Sequence, residues 1–143
     1  MFIKQLSIFV QNEPGRLSEI AGVIAGAGVD IRALSIADTT NFGILRLIVD
    51  KPTEAMEALG KLGLTVKLTE VIAVEVNDRP GEFAGALRVL GDAGVVVEYI
   101  YAFLSRSPGK ACVILRVDDN EKAEGILQNA GIVTLRERDL YAV

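Results

Sequence analysis

Part of this chain is written twice. Asn12-Glu13-Pro14-Gly15-Arg16-Leu17 returns 66 residues later as Asp78-Arg79-Pro80-Gly81-Glu82-Phe83. At the same offset Val10 matches Val76, Val23 matches Val89, and Ala27-Gly28-Val29 matches Ala93-Gly94-Val95. Further on the offset becomes 68: Val49-Asp50 matches Val117-Asp118, Ala55 matches Ala123, Leu59 matches Leu127 and Gly63 matches Gly131. The change places a two-residue insertion near 105–109, where Pro108-Gly109 signals a turn. Identities confined to turn and core positions are what a duplicated supersecondary unit keeps while its surface drifts. The 143 residues therefore divide into a first module, residues 1–69, and a second, residues 70–143.

Within the first copy, Leu6, Ile8 and Val10 alternate with Gln5, Ser7, Phe9 and Gln11, the pattern of a strand with one buried face. Pro14-Gly15 breaks it. Leu17, Ile20, Ala21 and Ile24 recur at helical spacing, which predicts a helix over 16–27 ended by Gly28. Strands are predicted over 29–38 and 43–50, joined by a hairpin turn at Thr39-Thr40-Asn41. Thr53 is the expected cap of a second helix holding Ala55, Leu59 and Leu62, with Gly63 as its stop and a strand over 64–69. The second copy repeats the order: strand 71–77, helix 81–93, strands 95–104 and 110–117, helix 120–130, strand 132–136.

The order β-α-β-β-α-β is the split-βαβ or ferredoxin-like arrangement. The fold class is thus α+β: two ferredoxin-like modules in tandem, each an antiparallel sheet with helices on one face. Glu70-Val71-Ile72-Ala73-Val74 is echoed by Asp139-Leu140-Tyr141-Ala142-Val143, so the second module is expected to close with a C-terminal tail strand. Residues 64–76 contain no Gly, Pro or Ser, so no flexible linker separates the copies. Exposed sheet edges favour pairing, and a homodimer is expected.

Composition removes several classes of function. Half of the residues are hydrophobic, which argues against disorder. With 15 basic and 19 acidic residues the net charge is −4, a surface that repels phosphate backbones and anionic lipid; no nucleic-acid or membrane role is expected. There is no His and one Cys, Cys112, so a His/Cys zinc site and an intrachain disulfide are ruled out, and a reducing, cytoplasmic location is expected. Lys4, Gln5, Gln11 and Asn12 interrupt the N-terminal apolar residues, against an export signal. No apolar run approaches the roughly 20 residues of a membrane span. Gly22, Gly26 and Gly28 do not have the spacing of a dinucleotide fingerprint, and no cofactor is expected. Without His, and with no carboxylate beside an evident second catalytic group, the chain is read as no enzyme. Acylphosphatases share the fold, but their glycine-rich phosphate loop is missing here.

The element order, the Asx-x-Pro-Gly turn between first strand and first helix, and the Ala-Gly-Val-Asp-Ile or Ala-Gly-Val-Val-Val leading into the second strand resemble the ACT domain family. The resemblance covers residues 3–69 and 70–136 and is that of a stand-alone tandem pair. It implies an amino-acid-binding regulatory protein, with the ligand where two modules meet and a metabolic enzyme or transport process as what it regulates.

Beside that resemblance stands a physical case for the turn. Amides at a helix start lack intrahelical acceptors and carry the positive end of the helix dipole, which suits a carboxylate. Gly15 and Gly81 let a ligand approach the backbone. Asn12 and Asp78 can accept from an α-ammonium group, and the charge on Asp78 favours the second copy for that contact. The candidate ligand-binding residues are Asn12, Glu13, Pro14, Gly15, Arg16 and Leu17 in the first copy, and Asn77, Asp78, Arg79, Pro80, Gly81, Glu82 and Phe83 in the second. Arg32 joins them as a residue near the start of the second strand, close to where a partner's turn would dock, and Tyr99 as a pocket-wall residue whose hydroxyl can reach a ligand. Two alternatives remain open. The turn can be purely structural, its Asx side chain capping the helix, with the chain a protein–protein assembly module. The stripe Tyr99, Tyr101, Phe103, which replaces Ala33, Ser35 and Ala37, can be interface packing or a pocket wall. Base stacking on that stripe is disfavoured by its lack of basic company.

Overall fold

Alternating apolar residues become the inner faces of sheets. The structure, a computed structural model, describes residues 2–38, 41–103, 105 and 107–141. The first copy forms β1 (Ile3–Gln11), α1 (Arg16–Gly26), β2 (Ile31–Asp38), β3 (Phe42–Val49) and α2 (Pro52–Gly60). A long strand, β4 (Val66–Asn77), follows. The second copy continues with α3 (Glu82–Asp92), β5 (Val97–Phe103), β6 (Lys110–Val117), α4 (Asn120–Asn129), β7 (Val133–Leu135) and α5 (Glu137–Tyr141). These are two tandem ferredoxin-like modules. The residues Thr39 and Thr40 of the expected hairpin turn, Leu104 and Arg106 next to the insertion, and Ala142-Val143 lie outside the described residues.

The contacts divide the chain into two compact units, one running from Lys4 to Thr69 and one from Glu70 onward that also takes in Phe2 and Ile3. In the first the strand order is β2-β3-β1-β4. β1 and β3 pair antiparallel with Leu6 opposite Leu47 and Ile8 opposite Leu45, so both strands turn their apolar residues to the same face. Ile20 and Ile24 of α1 and Ala55 and Leu59 of α2 close over that face. In the second unit the order is β5-β6-β4-β7. Ile72 and Val74 lie opposite Leu115 and Val113, and Leu90, Ala123 and Leu127 cover them. Burying each such Leu or Ile contributes about 1.5–3 kcal/mol, and these clusters dominate the stability of each unit.

Three expectations need correction. The strands expected over 64–69 and 71–77 are one uninterrupted strand, β4, because nothing in Glu70-Val71 breaks an extended backbone. Thr53 does not cap α2. The helix starts two residues earlier than such a cap would set it, with Pro52 at its first position and Lys51 before it making no side-chain cap, because proline's fixed φ and missing N–H suit the first helical turn. The expected C-terminal tail strand is instead the short helix α5. The Arg136 N–H donates to Oδ2 of Asp139 at 2.8 Å, and the Asp139 N–H donates back to the Arg136 carbonyl at 2.9 Å. That reciprocal pair is the helix-starting half of a capping box, and it overrides the strand-like look of the tail.

Candidate functional site

Chain reversal between β1 and α1 takes the four residues Asn12 to Gly15. The Glu13 N–H donates to the Gln11 carbonyl at 2.9 Å, a γ-turn centred on Asn12. The Arg16 N–H then donates to the Glu13 carbonyl at 3.2 Å, with Pro14 and Gly15 as the central residues. Gly15 has φ 81° and ψ −6°, so this is a type II turn, which favours proline second and requires positive φ third. The second copy reproduces it bond for bond: Arg79 to Asn77 at 2.9 Å, Glu82 to Arg79 at 3.3 Å, and Gly81 at φ 89° and ψ −17°. Each turn is also tied to the following hairpin, by Asn12 N–H to the Asn41 carbonyl (3.2 Å) and by Asp78 N–H to the Gly109 carbonyl (2.9 Å).

Neither helix has a side-chain cap. The structural alternative that gave Asn12 and Asp78 a capping role is thereby corrected: the glycines occupy the cap positions, and the Asx side chains lie too far back along the chain. The first helical bonds run from Glu19 to the Gly15 carbonyl and from Gly85 to the Gly81 carbonyl. Among the described residues no acceptor takes the amides of Leu17, Ser18, Phe83 or Ala84. A Cβ on Gly15 or Gly81 would meet nothing within 4 Å, so the space over both turns is open.

The two corners differ. Beside the first turn lies a cavity of about 300 Å³ lined by Gln11, Asn12, Glu13, Asn41 and Phe42. Pro14 is exposed, and Leu17 is 48% exposed at the start of α1. Arg16 pairs with Glu19 one turn along α1, and its Nε is buried without a partner among the described residues. At the second turn the ends are occupied by the chain's own charges. Lys110 Nζ donates to Oδ1 of Asn77 at 2.5 Å, and Arg79 lies 3.5 Å from Glu82. Asp78 and Pro80 are exposed, and Phe83 is half-buried. The first corner thus places a cation at the first helical position, and the second places a carboxylate there.

Arg32 and Tyr99 are not brought to the turn of their own unit. The turn lies at the end where Asp38 faces Gly43, whereas Arg32 sits at the other end, beside the Ile31–Val49 pair. Six residues of strand span about 20 Å. Arg32 donates from Nη1 to Oδ2 of Asp30 at 2.9 Å. Tyr99 lies opposite Arg116, whose Nε is 3.8 Å from Glu98. Conversely, Gln11, Asn41 and Phe42 at the first corner and Gly109 and Lys110 at the second were not singled out from sequence. A signal for them existed: in a βαββ unit the third strand runs antiparallel to the first, so its opening residues must lie beside the first strand's end.

Among the described residues there is no cluster of His, Cys, Asp and Glu suited to a metal ion, and no helix is long and apolar enough to cross a membrane.

Residues 1–143 match the family described as an ACT domain pair. No curated protein matches. Among solved structures, a protein of Bacteroides thetaiotaomicron superposes with a TM-score of 0.93 at 36% identity, covering 100% of this chain and 98% of that one. The regulatory subunit of aspartate kinase from Thermus thermophilus, in its ligand-free form, gives a TM-score of 0.70 at 19% identity, with 91% and 92% of the two chains covered. The corresponding subunit from Thermus flavus gives 0.66 at 18% identity, with 92% of each chain covered. At those identities the two aspartate kinase subunits share the fold.

Proposed function

The chain belongs to the family of ACT domain pairs, and from that premise we propose that it is a non-catalytic regulatory protein that binds an amino acid or a similar small carboxylate beside its strand-to-helix turns. The observation that carries this reading is the first corner: a cavity of about 300 Å³ lined by Asn12 and Glu13, followed along the chain by a helix start whose Leu17 and Ser18 amides have no acceptor among the described residues. A ligand carboxylate at that helix start would meet unpaired N–H groups, the positive end of the helix dipole and the Arg16 guanidinium, which it would share with Glu19. Asn12 and Glu13 supply acceptors for an ammonium group. At the second corner Glu82 and Asp78 oppose an anion, and Lys110 already holds Asn77, so the first copy is the stronger site for the carboxylate. Regulation of a metabolic enzyme fits the kinship in fold with aspartate kinase regulatory subunits.

The test is thermal melting of the whole chain with each of the twenty amino acids in turn. A ligand that binds only the folded state adds roughly 2.7 kcal/mol at a hundredfold excess over its dissociation constant. One amino acid raising the midpoint in the intact chain, with the shift lost in Gly15→Val, is the expected result. No shift from any of the twenty at millimolar concentration refutes the proposal.

A second reading, a protein–protein assembly module, draws on Leu34 and Ile36, which are 58% and 43% exposed on the edge strand β2. It expects a homodimer, checked by sedimentation equilibrium of the intact chain against Leu34→Lys.

A further inference from the structure

The duplication supplies an internal control for one cavity. Between α1 and the edge strand β2 of the first unit runs an open apolar groove of about 140 Å³, walled by Leu17, Ala21 and Ile24 from the helix, Leu34 from β2, and Leu45 and Leu47 from β3. In the second unit the repeat puts Leu87 where the first has Ala21, and Ile100 where it has Leu34. Leu87 and Ile100 both pack against the core there. Leu34 in the first unit stays 58% exposed, although its cross-strand partner Leu47 is buried. The second copy thus carries the larger side chain at the helix position where the first has alanine, and packs it against its core. The groove's volume is close to that of an apolar cavity that takes a guest the size of benzene, roughly 150 Å³, although this one is open on one side.

Along β2 and β3, Ile36 and Gly43 separate the groove's Leu34 and Leu45 from Asn41 and Phe42 of the polar corner. Gly43 has no side chain, and a Cβ built on it would lie 3.2 Å from Cδ1 of Ile36 and 3.4 Å from Oδ1 of Asn12. Ile36 follows Leu34 on the same face of β2. Asn12 and Ile36, the next residue of β2 on the face of the groove's Leu34, therefore meet over one bare Cα.

Resting on the turn-side reading above, we propose that this groove is the side-chain pocket of the first unit's ligand, and that the ligand is a small carboxylate with a branched aliphatic side chain, of which leucine is the type. The ligand's side chain would supply from outside the chain the aliphatic group that Leu87 brings to the core of the other copy. Polar and charged side chains are excluded, because the walls offer them no hydrogen-bonding partner.

The experiment is calorimetric titration of the whole chain with L-leucine, glycine and L-aspartate, on the unaltered protein, Ala21→Leu, Leu34→Lys and Gly15→Val. Ala21→Leu copies a residue the second unit already carries at this position, and circular dichroism checks that each variant is folded. The expected result is binding of leucine in preference to glycine and aspartate, weakened at least about tenfold by Ala21→Leu and by Leu34→Lys, with any glycine binding unaffected by Ala21→Leu. Leucine binding that survives Ala21→Leu but is lost in Gly15→Val overturns the groove and leaves the turn-side reading standing. Preference for aspartate, unaffected by Ala21→Leu, has the same meaning. No binding by any of the three probes overturns the assignment of the aliphatic class, and the twenty-amino-acid melt then decides the turn-side reading by itself. A fall in sedimenting mass for Leu34→Lys with no leucine binding makes the groove a seam between copies and overturns the pocket.

Discussion

Asp50 and Asp30 grip each other through two hydrogen bonds. The Asp30 amide donates to Oδ1 of Asp50 at 2.8 Å, and the Asp50 amide donates to the Asp30 carbonyl at 3.1 Å. The second copy holds the same clamp between Asp118 and Val96: the Val96 amide donates to Oδ1 of Asp118 at 3.1 Å, and the Asp118 amide to the Val96 carbonyl at 3.2 Å. Only the residue after the inner strand needs a carboxylate, since its partner contributes backbone alone. That explains why Val-Asp is kept in both copies while Asp30 and Val96 differ.

Removing that acceptor should therefore be felt in each unit. Asp50→Ala and Asp118→Ala are each expected to cost about 1–2 kcal/mol, the range for a charged hydrogen bond at a partly exposed site. Urea denaturation measures the loss, and Asp50→Asn, which keeps an acceptor oxygen, should recover most of it.

The turn glycines should separate strain from binding. Gly15 and Gly81 have φ of 81° and 89° with open space around them, so a side chain there adds backbone strain without a clash. Gly15→Ala and Gly81→Ala should each lose about 1–2 kcal/mol, the cost of a left-handed residue, and Gly15→Val and Gly81→Val somewhat more. Far-ultraviolet circular dichroism should remain that of the folded chain at 25 °C. A collapse of that signal would show that the turns support the core directly.

The helix starts differ in how they are secured. Asp119 caps α4, its Oδ1 accepting from the Lys122 amide at 3.1 Å, whereas α2 starts from Lys51 with no side-chain cap. Asp119→Ala should cost about 1 kcal/mol, and Asp119→Ser only a fraction of that. A shift in melting midpoint for Asp119→Ala that Asp119→Ser fails to restore would contradict the capping role.

Cys112 predicts a pH dependence. Burial pushes its thiol up. A hydrogen bond from the Ser105 side chain pulls it back, and the nearby Glu75 carboxylate raises it again. In the unfolded chain the thiol ionises near about 8.5. The folded form binds its proton more tightly, so this contribution to stability is complete below that pH and is lost as pH rises through the folded thiol's higher value. Denaturation midpoints should fall as pH rises above about 8.5, less so in Cys112→Ala. Native Cys112, only 3% exposed, should react with iodoacetamide far more slowly than it does in urea.

Much of this was legible in the chain. Two copies of an alternating stretch, a Pro-Gly break and a helical apolar stripe determine a βαββαβ unit, because each pattern fits only one backbone period. Pro14-Gly15 and Pro80-Gly81 determine the turn itself, since proline presets one φ and only glycine takes the other cheaply. The carboxylate clamp and the Asp119 cap also leave traces, as an acidic residue directly after a strand or directly before a helix.

What the tertiary structure decided is everything that depends on which segments meet. The sequence Asp139-Leu140-Tyr141-Ala142-Val143 reads as a strand, but a local bond between Asp139 and the Arg136 amide makes Glu137–Tyr141 helical; a pattern five residues long cannot choose between the two. Residues of the first corner lie about 30 positions apart, Asn12 beside Phe42, and come together only through antiparallel pairing of β1 with β3. The groove beside Ala21 is subtler still. A small residue on a helix face is unremarkable in a sequence, and only the tertiary structure shows that Ala21 borders a groove while Leu87 packs against a core. Periodicity is a local property of the chain, whereas a cavity is a property of what fails to touch, and that exists only once distant side chains have been set against one another.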